Sequence, residues 1–202
     1  MGAFAHEVRT PLTSIKMVME LARRQSAEGQ LLLDGELAAM LRSSVDDLQA
    51  LADDLQETSR LERGKINLSA GPCDLTAAVD AAREMLLPLQ LNGIHEAGIE
   101  GPWDSARLVR SIAGFAQSAN RIGDGSGVVR LDAARSGGFA RLVFSSGKAG
   151  GEPRTIAADA GFSFFRSRQL VLAMGGSVDC ERAERFATFR VALPLGLQGE
   201  GR

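Results

Sequence analysis

The chain opens with Met1-Gly-Ala-Phe-Ala-His-Glu-Val-Arg-Thr-Pro-Leu12, and this stretch decides how the rest is organised. In a helix, His6 and Thr10 stand one turn apart on the same face, about 6 Å along the axis, with Glu7 beside them. A carboxylate and a hydroxyl next to a histidine are typical of a reactive imidazole. We therefore take His6, Glu7 and Thr10 as candidate catalytic residues.

The apolar residues around His6 indicate which way its side chain points. They recur at spacings of three and four, as in a helix of a bundle, and the stripe consists of Phe4, Val8, Leu12, Ile15, Met19 and Ala22. His6 lies roughly 200° around the helix from Val8, so we expect it to face solvent. A second stripe shares the outward side with His6 and continues through Thr13, Ser14, Met17 and Leu21. These four residues are candidates for binding a partner protein, with a place beside a dimer seam as the open alternative.

A second long helix follows a short connection. Asp34 is a good N-cap, and the helix after it carries its own apolar stripe, formed by Leu37, Leu41, Val45, Leu48, Leu51 and Leu55. Two antiparallel helices cannot cover both stripes alone. The pattern therefore predicts a hairpin that pairs with a second copy as a homodimeric four-helix bundle.

Two segments of this hairpin carry a family resemblance. Residues 6–15, HEVRTPLTSI, resemble the H-box of bacterial sensor histidine kinases, and residues 59–65, SRLERGK, resemble the close of their dimerisation helix. The resemblance implies that His6 is phosphorylated and passes its phosphoryl group to an aspartate of a response-regulator receiver domain. It also puts Thr10 at the position linked to phosphatase activity.

The sequence pattern of the remaining residues predicts an α+β domain. Asp74 and Asp104 are predicted to cap helices, strands are expected at 128–133, 139–145, 177–181 and 186–194, and a helix at 162–174. Helices alternating with a mostly antiparallel sheet favour a two-layer sandwich, and this order resembles the ATPase domain of the same kinases. We predict a phosphotransfer hairpin over 1–68, a degenerate ATPase-like domain over 72–197 and a disordered tail over 198–202, with 69–72 as linker.

The resemblance in the second domain does not extend to the residue expected to hold magnesium. Family members place an asparagine before an alanine, and the matching position before Ala119 is Ser118. A hydroxyl is a poor substitute for an amide oxygen on this cation. Asn120 lies roughly 200° around the helix from Ser118 and is expected on the wrong face.

The other nucleotide motifs of the family also differ. Residues 145–149, SSGKA, replace the DxGxG loop that anchors adenine, and no aspartate occurs between Ala133 and Ala158. Residues 159–164, DAGFSF, replace the glycine-rich phosphate turn, and the expected lid between Gly147 and Gly161 is short. Three nearby phenylalanines are expected in the core, with filling of the emptied pocket as the alternative: Phe162, Phe164 and Phe165.

Composition excludes several other functions. The 202 residues have 45% hydrophobic content and a formal net charge of −2, so no basic surface for nucleic acid or anionic lipid is indicated. No apolar run is long enough to span a membrane, and Cys73 and Cys180 have no metal-ligand spacing. We expect a cytoplasmic protein without metal or cofactor, either a fragment of a longer protein or one that receives its input from another protein.

These observations favour a histidine phosphotransferase of a phosphorelay, which moves phosphoryl groups between receiver aspartates through His6 without ATP. Expected partners are receiver domains, an upstream hybrid kinase and a second copy of the chain, with Mg²⁺ supplied by the receiver. Two alternatives stay open: an ATP-dependent sensor kinase with divergent nucleotide motifs, and a non-catalytic pseudokinase that binds response regulators.

Overall fold

The computed structural model describes residues 2–24, 33–63, 67–147, 161–183 and 186–196. For residues 2–7, 61–62 and 182–183 it describes the backbone alone. The chain forms two compact units, Met1–Arg60 and Leu61–Arg202. The predicted tail at 198–202 lies outside the described residues.

The first unit is a pair of helices, α1 (Gly2–Arg24) and α2 (Gly35–Glu62). The Leu37 amide donates to the Asp34 carboxylate at 2.8 Å, which confirms Asp34 as the cap of α2. The helices pack through a small cluster of buried and partly buried side chains that consists of Val18, Ala22, Leu37 and Leu41. The sequence pattern predicts a first helix from about Ala3 to Ala27, and this predicted end lies outside the described residues.

The predicted apolar stripe of α1 is only partly buried in the single chain. Val18, which was not assigned to the stripe, is fully buried, whereas Leu12 and Met19 are 44% and 43% exposed. One helix partner covers only a narrow strip of α1, and the centre of that strip is Val18 with Ala22. Leu12 and Met19 therefore lie on a side of the helix that a single chain leaves open.

The second unit contains three helices and seven strands in the part that the structure describes. Its elements in chain order are β1 (Gly71–Asp74), α3 (Leu75–Leu86), β2 (Gln90–Asn92), β3 (Glu100–Trp103), α4 (Ser105–Ile122), β4 (Val128–Ser136), β5 (Phe139–Gly147), α5 (Gly161–Ala173), β6 (Ser177–Ala183) and β7 (Phe186–Pro194). The α+β class with a helical hairpin and a sheet-based ATPase-like unit is thereby confirmed.

The main sheet has the strand order β2-β4-β5-β7-β6, in which only β2 pairs in parallel. Alternate residues of β5 are buried, including Leu142 and Phe144, whereas Arg141 is exposed. Helix α4 packs on β4, β5 and β7, and α5 packs on β6. The helices thus bury one face of the sheet, as expected for a two-layer arrangement.

Three short strands were not predicted. β1 and β3 form a separate antiparallel ribbon, and β2 adds an edge to the main sheet. Because β1 begins at Gly71, the end of the predicted linker is part of a strand. The ribbon is fixed to the sheet by Trp103, which is 1% exposed and donates from Nε1 to the Pro194 carbonyl at 2.8 Å.

Candidate functional site

His6 and Glu7 lie in the first turns of α1. Their side chains fall outside the residues whose side chains the structure describes. Their assignment to catalysis therefore stays a prediction from the sequence. What the structure adds is the continuous helix through Pro11 that carries them.

The hydroxyl residues that follow His6 lie on exposed or partly exposed positions of α1. Thr10 is exposed, and its carbonyl accepts a bond from the Ser14 hydroxyl at 3.4 Å. The Thr13 hydroxyl donates to the Arg9 carbonyl at 2.8 Å. Thr13 and Ser14 thus satisfy carbonyls of their own helix, as hydroxyls in helices commonly do.

Two apolar side chains continue the same outward stripe. Met17 is 51% exposed and Leu21 is 38% exposed, whereas Val18 and Ala22 are buried against α2. The predicted partner-binding residues thus lie on the side of α1 that α2 does not cover. Nothing in the described residues of the unit packs over them, so their role in partner binding stays a prediction.

Ser118, at the family position of the magnesium-binding asparagine, lies inside the second unit. It is 2% exposed, and its Oγ has no hydrogen-bond partner among the described residues. One turn earlier on the same side of α4, Gly114 meets α5 so closely that an added Cβ would stand 2.2 Å from the Ser167 Oγ. Ser167 is fully buried, and its hydroxyl also has no partner in the part of the chain that the structure describes. We call this contact of Gly114 on α4 with Ser163 and Ser167 on α5 the α4–α5 seam.

Asn120 has a structural role at the end of α4. Its Oδ1 accepts the amide of Gly127 at 2.9 Å, and its carbonyl accepts the amide of Gly125 at 3.1 Å. The side chain therefore shapes the turn between α4 and β4. Its amide oxygen is directed to the backbone of that turn.

The strand end that matches the adenine-anchoring loop carries hydroxyls. Ser146 is 3% exposed and donates to the Val128 carbonyl at 3.2 Å, which ties the end of β5 to the start of β4. Ser145 pairs with Arg130 in the sheet. The rest of that loop, the predicted lid and the start of the phosphate turn fall within 148–160, outside the described residues.

The three phenylalanines near the start of α5 divide between core and surface. Phe162 is 7% exposed, and Phe164 packs on core rings, with centroids 5.9 Å from Phe115 and 4.9 Å from Phe189. The core prediction is therefore correct for both. It is wrong for Phe165, which is 38% exposed.

Comparison with known proteins identifies the first unit. Residues 1–64 match the His Kinase A (phospho-acceptor) domain. The alginate biosynthesis sensor protein KinB of Pseudomonas aeruginosa is 29% identical over 147 residues, which cover 66% of this chain and 24% of KinB. The first 64 residues thus match the phospho-acceptor domain of histidine kinases, and the chain as a whole is similar to bacterial sensor histidine kinases. Because the aligned length of KinB exceeds the phospho-acceptor domain, the similarity continues into the second unit.

Solved histidine kinases share the fold. Acinetobacter baumannii histidine kinase AdeS superimposes with a TM-score of 0.71 at 17% identity, covering 94% of this chain and 98% of AdeS. Histidine kinase ThkA, solved in complex with the response regulator protein TrrA, gives a TM-score of 0.61 at 14% identity and covers 95% of this chain and 59% of ThkA. The chain therefore has the fold of these histidine kinases over most of its length.

Two searches of the described residues were negative. None of the described helices is long and apolar enough to cross a membrane. The same part of the chain holds no group of three or more histidine, cysteine, aspartate or glutamate side chains arranged to bind a metal ion.

Sequence reasoning missed two features of this chain. The first is the α4–α5 seam, whose only local signal is the glycine at position 114 inside a helix. The second is an ion pair between Asp104 and Arg107, with a 2.6 Å distance from Nη1 to Oδ2. Asp104 was predicted as a cap, but nothing near it in sequence indicates that it also holds a segment 35 residues away.

Proposed function

We propose that this chain is a histidine phosphotransferase, in which His6 accepts a phosphoryl group from one receiver aspartate and delivers it to another without ATP. The observation that carries the proposal is the burial of Ser118. A magnesium ligand must reach a hydrated cation, whereas Ser118 is 2% exposed and its Oγ is buried.

The residues at the nucleotide positions do not fit Mg²⁺-ATP. Ser118 supplies a hydroxyl where an amide oxygen is expected, and Asn120 directs its oxygen to Gly127. Ser145 and Ser146 supply no carboxylate to receive the adenine amino group. We infer that the second unit keeps the kinase fold with a different role.

The proposed transfer requires little from the chain besides an accessible imidazole. An unprotonated ring nitrogen of His6 attacks the phosphorus of the receiver aspartyl phosphate, and a P–N bond forms as the P–O bond breaks. The bonding electrons return to the receiver aspartate as a carboxylate. Glu7 accepts a hydrogen bond from the N–H of the other ring nitrogen and holds the ring, and the second transfer reverses these steps.

Thr10 has a separate proposed role in dephosphorylation. Its exposed position one turn after His6 suits a hydroxyl that orients water toward a partner's phosphoryl group. Magnesium in each of these steps is supplied by the receiver domain. No metal or cofactor is assigned to this chain.

The proposed assembly is a cytoplasmic homodimer. Apolar side chains of both helices of the first unit are at least one-third exposed in the single chain; they include Leu12, Met19, Met40, Val45 and Leu55. A second hairpin that covers them completes a four-helix bundle. The outward stripe with Met17 and Leu21 then remains for receiver domains and an upstream hybrid kinase.

An ATP-dependent sensor kinase with divergent motifs is the second candidate function. It is favoured by the identity with KinB, a sensor protein, over a length that reaches the second unit. Under this function the second unit binds nucleotide through residues other than the matched motif positions. His6 is then the site of autophosphorylation.

Labelling experiments distinguish these functions. With Mg²⁺ and γ-³²P-ATP, we expect no label on the wild-type chain, whereas a ³²P-phosphorylated receiver should label it. His6→Ala should abolish the label and His95→Gln should retain it, because these are the two histidines of the chain. Label from ATP on His6 would contradict the proposal, and absence of label from a panel of receivers that bind the chain would favour a non-catalytic pseudokinase.

A further inference from the structure

Residues that lead into the second unit are held on the first turn of α4. The amide of Ser69 donates to Asp104 Oδ2 at 3.0 Å, and Arg107 Nη1 donates to the Asn67 carbonyl at 3.0 Å. The same Arg107 nitrogen lies 2.6 Å from Asp104 Oδ2. The Asp104–Arg107 ion pair therefore binds this segment through two backbone groups, the Ser69 amide and the Asn67 carbonyl.

The burial and hydrogen bonding of Asp104 make the ion pair a stable contact. Asp104 is 5% exposed, and its Oδ1 also accepts the Arg107 amide at 3.1 Å, so both carboxylate oxygens have donors. Exposed ion pairs contribute little because water competes with them, whereas a buried charged group with hydrogen-bonded partners is costly to separate. The grip on Ser69 and Asn67 is therefore stronger than an ordinary surface contact.

We propose that residues 67–70 form a strap, closed on α4 by Asp104 and Arg107, that sets how much chain is available between the two units. With the strap closed, residues 67–70 move with the second unit. With it open, these four residues add roughly 13 Å of reach to the connection. Since effective concentration falls as a connection lengthens, an open strap lowers the rate of encounters between the units.

This inference does not rest on the proposed function. A closed strap limits the connection equally in an ATP-independent phosphotransferase and in a kinase that must bring nucleotide to His6. If the strap is contradicted, the interpretation of the labelling experiments does not change. If the labelling experiments contradict the proposed function, the strap still stands.

Amide hydrogen exchange tests the strap directly. In Asp104→Asn we expect the Ser69 amide to exchange at least tenfold faster than in the wild type, and to accelerate by a clearly larger factor than the amides of Leu142 and Phe144, which report global unfolding. We also expect ¹⁵N order parameters of residues 67–70 to fall below about 0.6, the range of flexible backbone. Arg107→Lys should give a smaller increase, because it retains the positive charge beside Asp104 and leaves the carboxylate that accepts the Ser69 amide in place.

Asp132→Asn is the matched control. Asp132 also accepts a backbone amide, that of Ile94 at 3.2 Å, and an arginine, Arg130 at 2.7 Å. The control should accelerate exchange at Ile94 and leave Ser69 unchanged. Unchanged Ser69 exchange in Asp104→Asn, or equal acceleration of Leu142 and Phe144, would overturn the strap, since the ion pair would then have no local effect on residues 67–70.

Discussion

Gly114 on α4 lies so close to Ser167 on α5 that a Cβ at residue 114 would stand 2.2 Å from the Ser167 hydroxyl and 3.1 Å from the Ser163 carbonyl. Only a residue without a side chain allows this approach between the helices. The position at which the kinase family is expected to hold magnesium is one turn away, at Ser118. Both residues, Gly114 and Ser118, are buried within the second unit.

Gly114→Ala should destabilise the second unit by about 1–2 kcal/mol, because overpacking outweighs the gain in helix propensity. The clash involves the Ser167 hydroxyl, so the cost should fall by about 1 kcal/mol when the substitution is made in a Ser167→Ala background. Urea unfolding of the wild type, Gly114→Ala, Ser167→Ala and the double variant gives the coupling free energy between residues 114 and 167. Additive effects would show that the two side chains do not meet.

Ser118→Ala should stabilise the second unit relative to Ser111→Ala by about 1 kcal/mol. Both serines are buried in α4, so the two substitutions change the helix propensity by the same amount. The Ser111 hydroxyl donates to the Arg107 carbonyl at 2.8 Å, whereas the Ser118 hydroxyl has no partner among the residues that the structure describes. Removing an unsatisfied buried hydroxyl avoids a desolvation cost. Thermal or urea unfolding measures the difference, and a smaller stability for Ser118→Ala would mean that its hydroxyl is satisfied in solution.

Asp104→Asn should lower the free energy of unfolding by about 2 kcal/mol at pH 7. Burial, the largest single influence, raises the pKa of Asp104, but the bonds from the Ser69 and Arg107 amides and from the Arg107 guanidinium hold it below its ordinary value. A depressed folded-state pKa adds stability above the unfolded pKa of about 4 and loses it as the pH falls through the folded value. The difference between wild type and Asp104→Asn should therefore shrink below about pH 4.

Urea unfolding at pH 7, 5, 4 and 3 measures this linkage. Asp80→Asn serves as the control, because Asp80 pairs with Arg83 at 2.6 Å with a side chain 59% exposed. Its effect at pH 7 should stay below about 1 kcal/mol. A constant gap between wild type and Asp104→Asn at all four pH values would contradict the assigned charge pairing.

Met17→Glu should weaken binding of a cognate receiver domain roughly tenfold, because it places a charge in an apolar contact. Met85→Glu is the control, since Met85 is a similarly exposed methionine, at 58%, on α3. Isothermal titration with an unphosphorylated receiver measures both. Equal affinities for the two variants would remove Met17 from the proposed docking surface and favour its place beside the dimer seam.

The features that the sequence predicted are mainly local. Asp34, Asp74 and Asp104 were recognisable as caps because a cap depends on a carboxylate and the amides that immediately follow it. The long strands were found because their alternation persists over many residues, whereas β2 has three residues and too short a pattern. The burial of Val18 in place of Met19 depended on the partner helix, which periodicity alone does not specify.

In the candidate site, too, local features were predicted from the sequence and contacts between distant segments were missed. His6, Glu7 and Thr10 were assigned from adjacent residues, and the family match over residues 1–64 supports the phospho-acceptor identity of that unit. The α4–α5 seam joins Gly114 to a helix about fifty residues later in the chain, and the strap joins Ser69 to Asp104. Such contacts form only when the fold brings distant segments together, so they have no signature in a local window.

Two consecutive residues make these bonds: Trp103 donates to the Pro194 carbonyl, and Asp104 accepts the Ser69 amide. The incoming segment of the second unit and the end of its last strand are consequently neighbours in space. Joining them by a short designed loop and opening the chain elsewhere, for example in the Gly137–Gly138 turn between β4 and β5, would leave every strand pairing intact. The second unit is thus suited to circular permutation, in which the same fold forms from a chain that begins and ends at different residues.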